Sequence, residues 1–241
     1  MTGTALAGAA AARAALRARA DPEVARGAMR YFKTGPGEYG EGDTFIGVRT
    51  PAMRRLAREY RTLPLDDLAE LLRSPVHEER GLALMILVWQ FARGDAAVRE
   101  RIHRLYLDHT RHINNWDLVD LSAPGIVGEY MVDRDSSPLL ELARSELVWE
   151  RRIAMLATLA FIRRGRYDET LRVAELLLGD RHDLIHKAAG WMLREVGKRD
   201  RAVEEAFLRA HCRHMPRTML RYAIERFPPE LRSRYLRGNV D

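Results

Sequence analysis

A stretch of this chain repeats itself. Residues 71–94, LLRSPVHEERGLALMILVWQFARG, align without gaps on residues 142–165, LARSELVWERRIAMLATLAFIRRG, so that Leu71, Arg73, Ser74, Glu79, Arg80, Ala83, Arg93 and Gly94 meet identical residues 71 positions later. A third copy begins 35 positions after the second, at Leu177, in LLGDRHDLIHKAAGWMLREVGKRD. The longer interval is therefore two periods, with a divergent copy from Leu107 onward hidden between them. Periods of this length belong to stacked helical hairpins, in which each unit buries its apolar face only against its neighbours. The expected fold is all-α, a helical-repeat solenoid (an α-α superhelix) formed as a single domain over residues 1–241, with one helix of each pair lining a concave face.

Composition and punctuation agree. The chain is 46% hydrophobic and has no alternating apolar run long enough for a sheet. Leu84, Ile86, Leu87 and Val88 are expected core. Asp21-Pro22-Glu23 reads as an N-cap followed by proline at the first helical position, and opens a helix toward Lys33. Residues 35–43, GPGEYGEGD, read as a loop. Further helices are expected from Thr50-Pro51 through Tyr60, from Leu65-Asp66, and from beyond Ser74-Pro75 to Gly94. Later stops fall at Ser136-Ser137-Pro138, Gly165, Gly179 and Pro228-Pro229.

The first twenty residues are Ala-rich with Arg13, Arg17 and Arg19 and no acid, a composition shared with transit peptides. The Arg bias, however, runs through the whole chain, whose only lysines are Lys33, Lys187 and Lys198. An ordinary amphipathic first helix, frayed at its start, is the expectation. No secretory or membrane-length apolar run is visible, and the single Cys212 excludes an internal disulfide. A cytoplasmic protein without a membrane partner follows. The net charge of +6 has the sign suited to a polyanion, although charge alone equally describes solvated helix surface.

Asn114-Asn115-Trp116-Asp117-Leu118-Val119-Asp120 lies in the hidden copy. On a helix, Trp116 and Asp120 project from one face, one turn apart. A π surface beside a carboxylate suits a substrate that is cationic or becomes so. One period beyond Trp116 stand Arg151 and Arg152, another period gives Lys187, and Trp191 follows one turn later. Two indoles, an acid and cations at equivalent phases would share one face, where rings stack on a sugar or base and cations hold phosphates. Trp191 equally fits a core position of its helix. His182 and His186 have a spacing open to a metal, but no third ligand accompanies them, and His211, Cys212 and His214 complete no zinc pattern. No metal and no cofactor is expected.

Several separated motifs in order carry a family resemblance: Phe45-Ile46-Gly47-Val48-Arg49-Thr50-Pro51 followed by Arg54, then Asn115-Trp116-Asp117-Leu118-Val119-Asp120, Trp149-Glu150-Arg151-Arg152, and Gly190-Trp191-Met192-Leu193-Arg194-Glu195. From about Tyr31 to about Leu236 the chain resembles the DNA alkylation repair proteins of the AlkD type, HEAT-like-repeat DNA glycosylases that remove N3- and N7-alkylated purines. The resemblance implies a HEAT-like fold with a basic concave face and duplex DNA containing alkylated purines as partner, bound by a monomer. It implies Asp120 as the catalytic carboxylate, Trp116 and Trp191 as a cradle for the lesion deoxyribose, and Arg152 on the adjacent backbone. Tyr31 would be an aromatic on the DNA-facing edge, and Thr50 and Arg54 backbone contacts at a helix N-terminus, where amide groups favour phosphate. Lys187 and Arg151 would also meet DNA.

An alkylated N3 or N7 makes the purine cationic, so it departs without a general acid. One anion against the sugar then stabilises the oxocarbenium-like transition state and orients water. The resemblance implies a monofunctional enzyme that need not flip the base. Two other readings stay open: a noncatalytic relative binding branched or damaged DNA, and a protein-interaction scaffold. The acidic insertion at 35–44, with Glu38, Glu41 and Asp43, would repel DNA if it faced it.

Overall fold

The computed structural model describes residues 8–239, so of the first helix expected within residues 1–20, the first seven residues lie outside the described residues. The described residues form helices with no strand, as the repeat predicts. They gather into two compact units that meet in sequence between Ser122 and Ala123.

The first unit holds α1 (Gly8–Arg17), α2 (Pro22–Tyr31), α3 (Thr50–Glu59), α4 (Leu65–Leu72), α5 (His77–Arg93), α6 (Ala96–Asp108) and α7 (Trp116–Ala123), the last ending one residue into the second. Local chemistry sets the boundaries. Asp21 caps α2 by accepting from the backbone N–H groups of Glu23 and Val24. Asp95 caps α6 through Val98 N–H. Helix α1 is amphipathic as expected, burying Ala9, Ala12 and Leu16 while Arg13 pairs with Glu70 and, at 2.8 Å, with Glu79. Helix α5 is the unit's centre, with α3, α4 and α6 all packed on it. Leu84, Ile86 and Leu87 are fully buried there, each stabilising by roughly 1.5–3 kcal/mol relative to exposure. Val88, expected beside them, is only half-buried, because it falls on the side of α5 that its neighbours leave uncovered.

The second unit contains α8 (Glu129–Met131), α9 (Ser137–Ala143), α10 (Val148–Ala157), α11 (Leu159–Ile162), α12 (Asp168–Leu176), α13 (Asp183–Gly197), α14 (Arg201–His211), α15 (Arg217–Ala223) and α16 (Pro229–Arg237). A π-helical turn, Pro124–Gly128, precedes α8. Helix α13 is the centre here, packed by α10, α14 and α15. Gly190 allows α15 to approach, since a Cβ there would lie 2.4 Å from the Met219 carbonyl oxygen.

The repeat now has a physical meaning. Helices α5, α10 and α13 are the second members of successive hairpins, with α4, α9 and α12 as their first members, and α6 with α7 forms the divergent copy. Each second helix is more enclosed than the first, so its apolar sequence is the more recognisable.

The FIGV part of the FIGVRTP segment, which leads into α3, is held by α5. Buried Glu78 accepts from the N–H groups of Ile46 (3.1 Å), Gly47 (2.7 Å) and Val48 (3.2 Å). A carboxylate in the first turn of a helix also meets the positive end of its dipole. Gly47 has φ +83°, and a Cβ on it would stand 2.0 Å from the Asp21 carbonyl oxygen. Gly47→Ala is therefore expected to destabilise by about 2–4 kcal/mol, combining left-handed strain with overpacking. Urea unfolding followed by circular dichroism measures it; a loss below about 0.5 kcal/mol would contradict this packing.

Candidate functional site

Helix α7 starts from a fully buried residue. Asn115 accepts the Trp116 N–H at 2.8 Å through Oδ1, which fixes the first turn. The half-buried Trp116 indole meets Tyr31 edge-on at 5.9 Å and lies tilted against Phe32 at 5.5 Å. Its Nε1 donates to the Tyr39 hydroxyl at 3.2 Å. Behind it, Phe32 stacks on Phe45 at 5.2 Å and Phe45 on the His77 imidazole at 4.4 Å. Tyr31 is 65% exposed, so the stack ends in an open aromatic face.

Asp120 lies one turn along α7, half-buried. Near it Tyr106, fully buried, shares a 3.0 Å hydrogen bond with Ser122. Burial pushes the Tyr106 phenol up and the Asp120 charge adds to the effect, so the phenol stays neutral.

Between these residues and α5 lies a charged clamp that sequence reasoning did not find. His77 Nε2 bonds Asp117 at 2.9 Å and Nδ1 bonds Asp43 at 3.2 Å. Asp43 also accepts from Arg80 at 2.7 Å and from Asn114 at 3.1 Å. Burial opposes the charge on His77, but the hydrogen bonds to Asp117 and Asp43 prevail and raise its pKa. Burial likewise opposes charge on Asp43, yet the His77 hydrogen bond and the Arg80 guanidinium hold it below the ordinary carboxylate range. The acidic insertion is thus tied inward: Asp43 is buried, and Tyr39 reaches Trp116. Glu38 and Glu41 accept from Gly35 and Gly37 N–H groups within the loop. Only the 34- and 40-residue separations of His77 from its two acids carry this clamp, and no local spacing betrays it.

Thr50 and Arg54 are exposed on α3, whose first residue shares an apolar cleft with Asp117 and Leu121 of α7. In the first unit the structure therefore brings Tyr31 against Trp116, places Asp120 on the same helix, and sets Thr50 beside α7.

The second unit holds the remaining expected site residues. Trp191 is half-buried, with Nε1 donating to Glu195 at 3.2 Å. Lys187, one turn earlier, pairs with Asp183 at 2.6 Å, so Asp183, Lys187, Trp191 and Glu195 form one row along α13. Arg152 is only 4% exposed and donates to the Leu184 carbonyl at 2.5 Å. Arg151 bonds Asp180 at 2.6 Å and the Ser145 and Glu146 carbonyls at 2.9 Å. Both arginines, expected on a phosphate backbone, are engaged within the unit in this structure. The two histidines with metal-like spacing have other partners: His182 caps α13 by accepting from Leu184 N–H at 3.2 Å, and His186 bonds the Asp180 carbonyl at 2.6 Å.

Residues 12–227 match the family model described as DNA alkylation repair enzyme. The chain belongs to that family. This DNA alkylation repair protein is also similar in fold to a predicted DNA alkylation repair enzyme from Enterococcus faecalis, with a TM-score of 0.66 at 18% identity, over 88% of this chain and 98% of that one. No curated protein matches it significantly. Within the repair protein, the family match spans the FIGVRTP segment, the α7 cluster and the α13 row alike. No helix among its described residues is long and apolar enough to cross a membrane.

The His77 clamp makes the repair protein's stability depend on pH. A raised His77 pKa contributes stability that is complete below about pH 6.5 and is lost as pH rises through the folded value. The lowered Asp43 pKa contributes above its ordinary value and is lost in acid. Urea midpoints measured from pH 6 to 9 should fall with pH in the parent, and the slope should shrink in His77→Gln. Equal slopes would contradict a charged His77.

Proposed function

We propose that this protein is a monofunctional alkylpurine DNA glycosylase, hydrolysing the N-glycosidic bond of N3- and N7-alkylated purines in duplex DNA. Membership of the DNA alkylation repair enzyme family supports a repair role. The observation that carries the finer assignment is Asp120 on the same face of α7 as Trp116, whose ring is braced by Tyr31, Phe32 and Tyr39.

The C1′–N bond breaks with its electron pair leaving on the purine, which neutralises the alkylated base. Positive charge appears on the sugar. Asp120 stabilises it electrostatically and takes a proton from the water that attacks C1′. Each indole face contributes about 0.5–2 kcal/mol of attraction to a cationic sugar, depending on desolvation. These terms are modest, so the intrinsic lability of the lesion does much of the work. A braced, half-exposed indole suits contact with a nucleotide that stays in the duplex.

Thr50 and Arg54 offer the DNA backbone amide groups and a cation on α3, and Tyr31 an aromatic edge. In the second unit Trp191 and Lys187 present a contact surface on α13. Arg152 supports that helix through the Leu184 carbonyl, and Arg151 anchors the preceding loop. Lys187 is ion-paired with Asp183, and an ammonium so held is a poor nucleophile, which supports hydrolysis without strand cleavage.

Asp120→Asn keeps the shape and removes the anion. Chromatography of bases released from methylated duplex DNA should show free 7-methylguanine or 3-methyladenine with the parent, strands intact until alkali is added, and at least a ~100-fold slower release with the variant at nearly unchanged DNA affinity. Equal release by both would overturn the catalytic role of Asp120. Binding without release by the parent would favour the noncatalytic reading.

A further inference from the structure

Two surface clefts, one in each unit, repeat the same chemistry. The first, about 260 Å³, is lined by Arg73, Ser74, Arg80, Arg111, His112 and Asn114, with Asp43 and Glu41 at its side. The second, about 530 Å³, is lined by Arg144, Ser145, Arg151, Arg181 and His182, with Glu146 and Asp180 at its side. Arg73, Ser74 and Arg80 precede Arg144, Ser145 and Arg151 by the 71-residue interval, and Arg111-His112 precede Arg181-His182 by 70. The internal geometry repeats as well. Arg80 donates to the Ser74 carbonyl at 2.9 Å and to Asp43 at 2.7 Å; Arg151 donates to the Ser145 carbonyl at 2.9 Å and to Asp180 at 2.6 Å.

In both clefts the inner arginine is spent on bracing a loop, while the rim arginines are not. Arg73, Arg111, Arg144 and Arg181 are exposed and make no ion pair among the described residues, although many other arginines of the chain do. Arg73 instead approaches His109 Nε2 at 3.4 Å, and His109 Nδ1 donates to the Leu105 carbonyl at 2.8 Å. On the floor of the first cleft, Arg80 Nε and Asn114 Oδ1 are buried without hydrogen-bond partners among the described residues. The rim cations are solvated, whereas the buried Arg80 Nε is a donor without an acceptor, which an anion entering the cleft would supply.

We propose that these clefts are oxyanion sites for a phosphoryl group, held between the two rim arginines with the adjacent histidine as a further donor. Two forked guanidinium groups match the tetrahedral oxygens of phosphate. The group comes either from a nucleic-acid backbone or from free phosphate, and both share this chemistry. The assignment stands whether or not Asp120 is catalytic, since neither cleft includes it.

His112 reports on the first cleft. Burial lowers its pKa, and the positive surroundings of His109, Arg80 and Arg73 lower it further, with Arg111 also on the rim and Glu41 and Asp43 the acids that face the cleft. A bound dianion reverses that field. Imidazole resonances of His112 are to be followed by NMR against pH, with inorganic phosphate and separately with an undamaged DNA duplex. A rise of the His112 pKa with either probe, weakened about tenfold or more in Arg73→Gln/Arg111→Gln, supports the site, and the probe acting at lower concentration identifies the source. Both substituted residues are exposed, and circular dichroism checks that the variant folds. No response to either probe, or an unchanged response in the folded variant, overturns it.

Discussion

A buried imidazole held between two carboxylates is the interaction on which the first unit's functional surface rests. His77 begins α5, Asp117 belongs to the first turn of α7, and Asp43 closes the insertion; one buried ring therefore ties three segments together. A buried charge is tolerable only when it is paired, and here both ring nitrogens have acceptors and Asp43 has Arg80 and Asn114 in addition, although Arg80 Nε, Asn114 Oδ1 and Asp117 Oδ1 are left without hydrogen-bond partners among the described residues. By fixing Asp117, the network positions Trp116 directly before it and Asp120 about one turn after it on α7. Breaking one partner would strand the others as uncompensated charges, so the arrangement is expected to behave as a unit.

Around the clamp, backbone polarity is managed by the same helix. Glu78 follows His77 directly and satisfies three consecutive amide groups of the FIGV segment, which delivers Thr50 to the start of α3. Two adjacent residues of α5 thus position both the aromatic stack and the α3 N-terminus. In the second unit Arg151, at the phase of Arg80, braces a loop in the same way, and Arg152 after it braces the first turn of α13. The repeat keeps both the position and the task of this arginine, which in each unit donates to a serine carbonyl and an aspartate.

The helices were legible in the sequence because their signals are local. Asp21-Pro22, Thr50-Pro51 and Gly165 act within one turn of themselves, and the self-alignment located the hairpin period without any knowledge of neighbours. Trp116 with Asp120 was legible for the same reason, being one turn apart. The clamp was not, since its acids lie 34 and 40 residues from His77 and obey no period. The insertion read as an acidic loop that would repel DNA if it faced it; Asp43 turns inward, where His77 and Arg80 hold its carboxylate. Helical phase likewise does not reveal that the first turn of α13 supplies Arg152 with a carbonyl at 2.5 Å.

The central claim is electrostatic: Asp120 stabilises positive charge on a sugar lying against Trp116. Duplexes carrying a cationic pyrrolidine abasic analogue or a neutral tetrahydrofuran one isolate that charge, because the two rings have nearly the same shape. The ratio of their affinities for the parent and for Asp120→Asn is the most direct test. The account predicts that the parent favours the cationic ring by about tenfold or more and that the variant binds both alike; equal binding by the parent, or an undiminished preference in the variant, would contradict it.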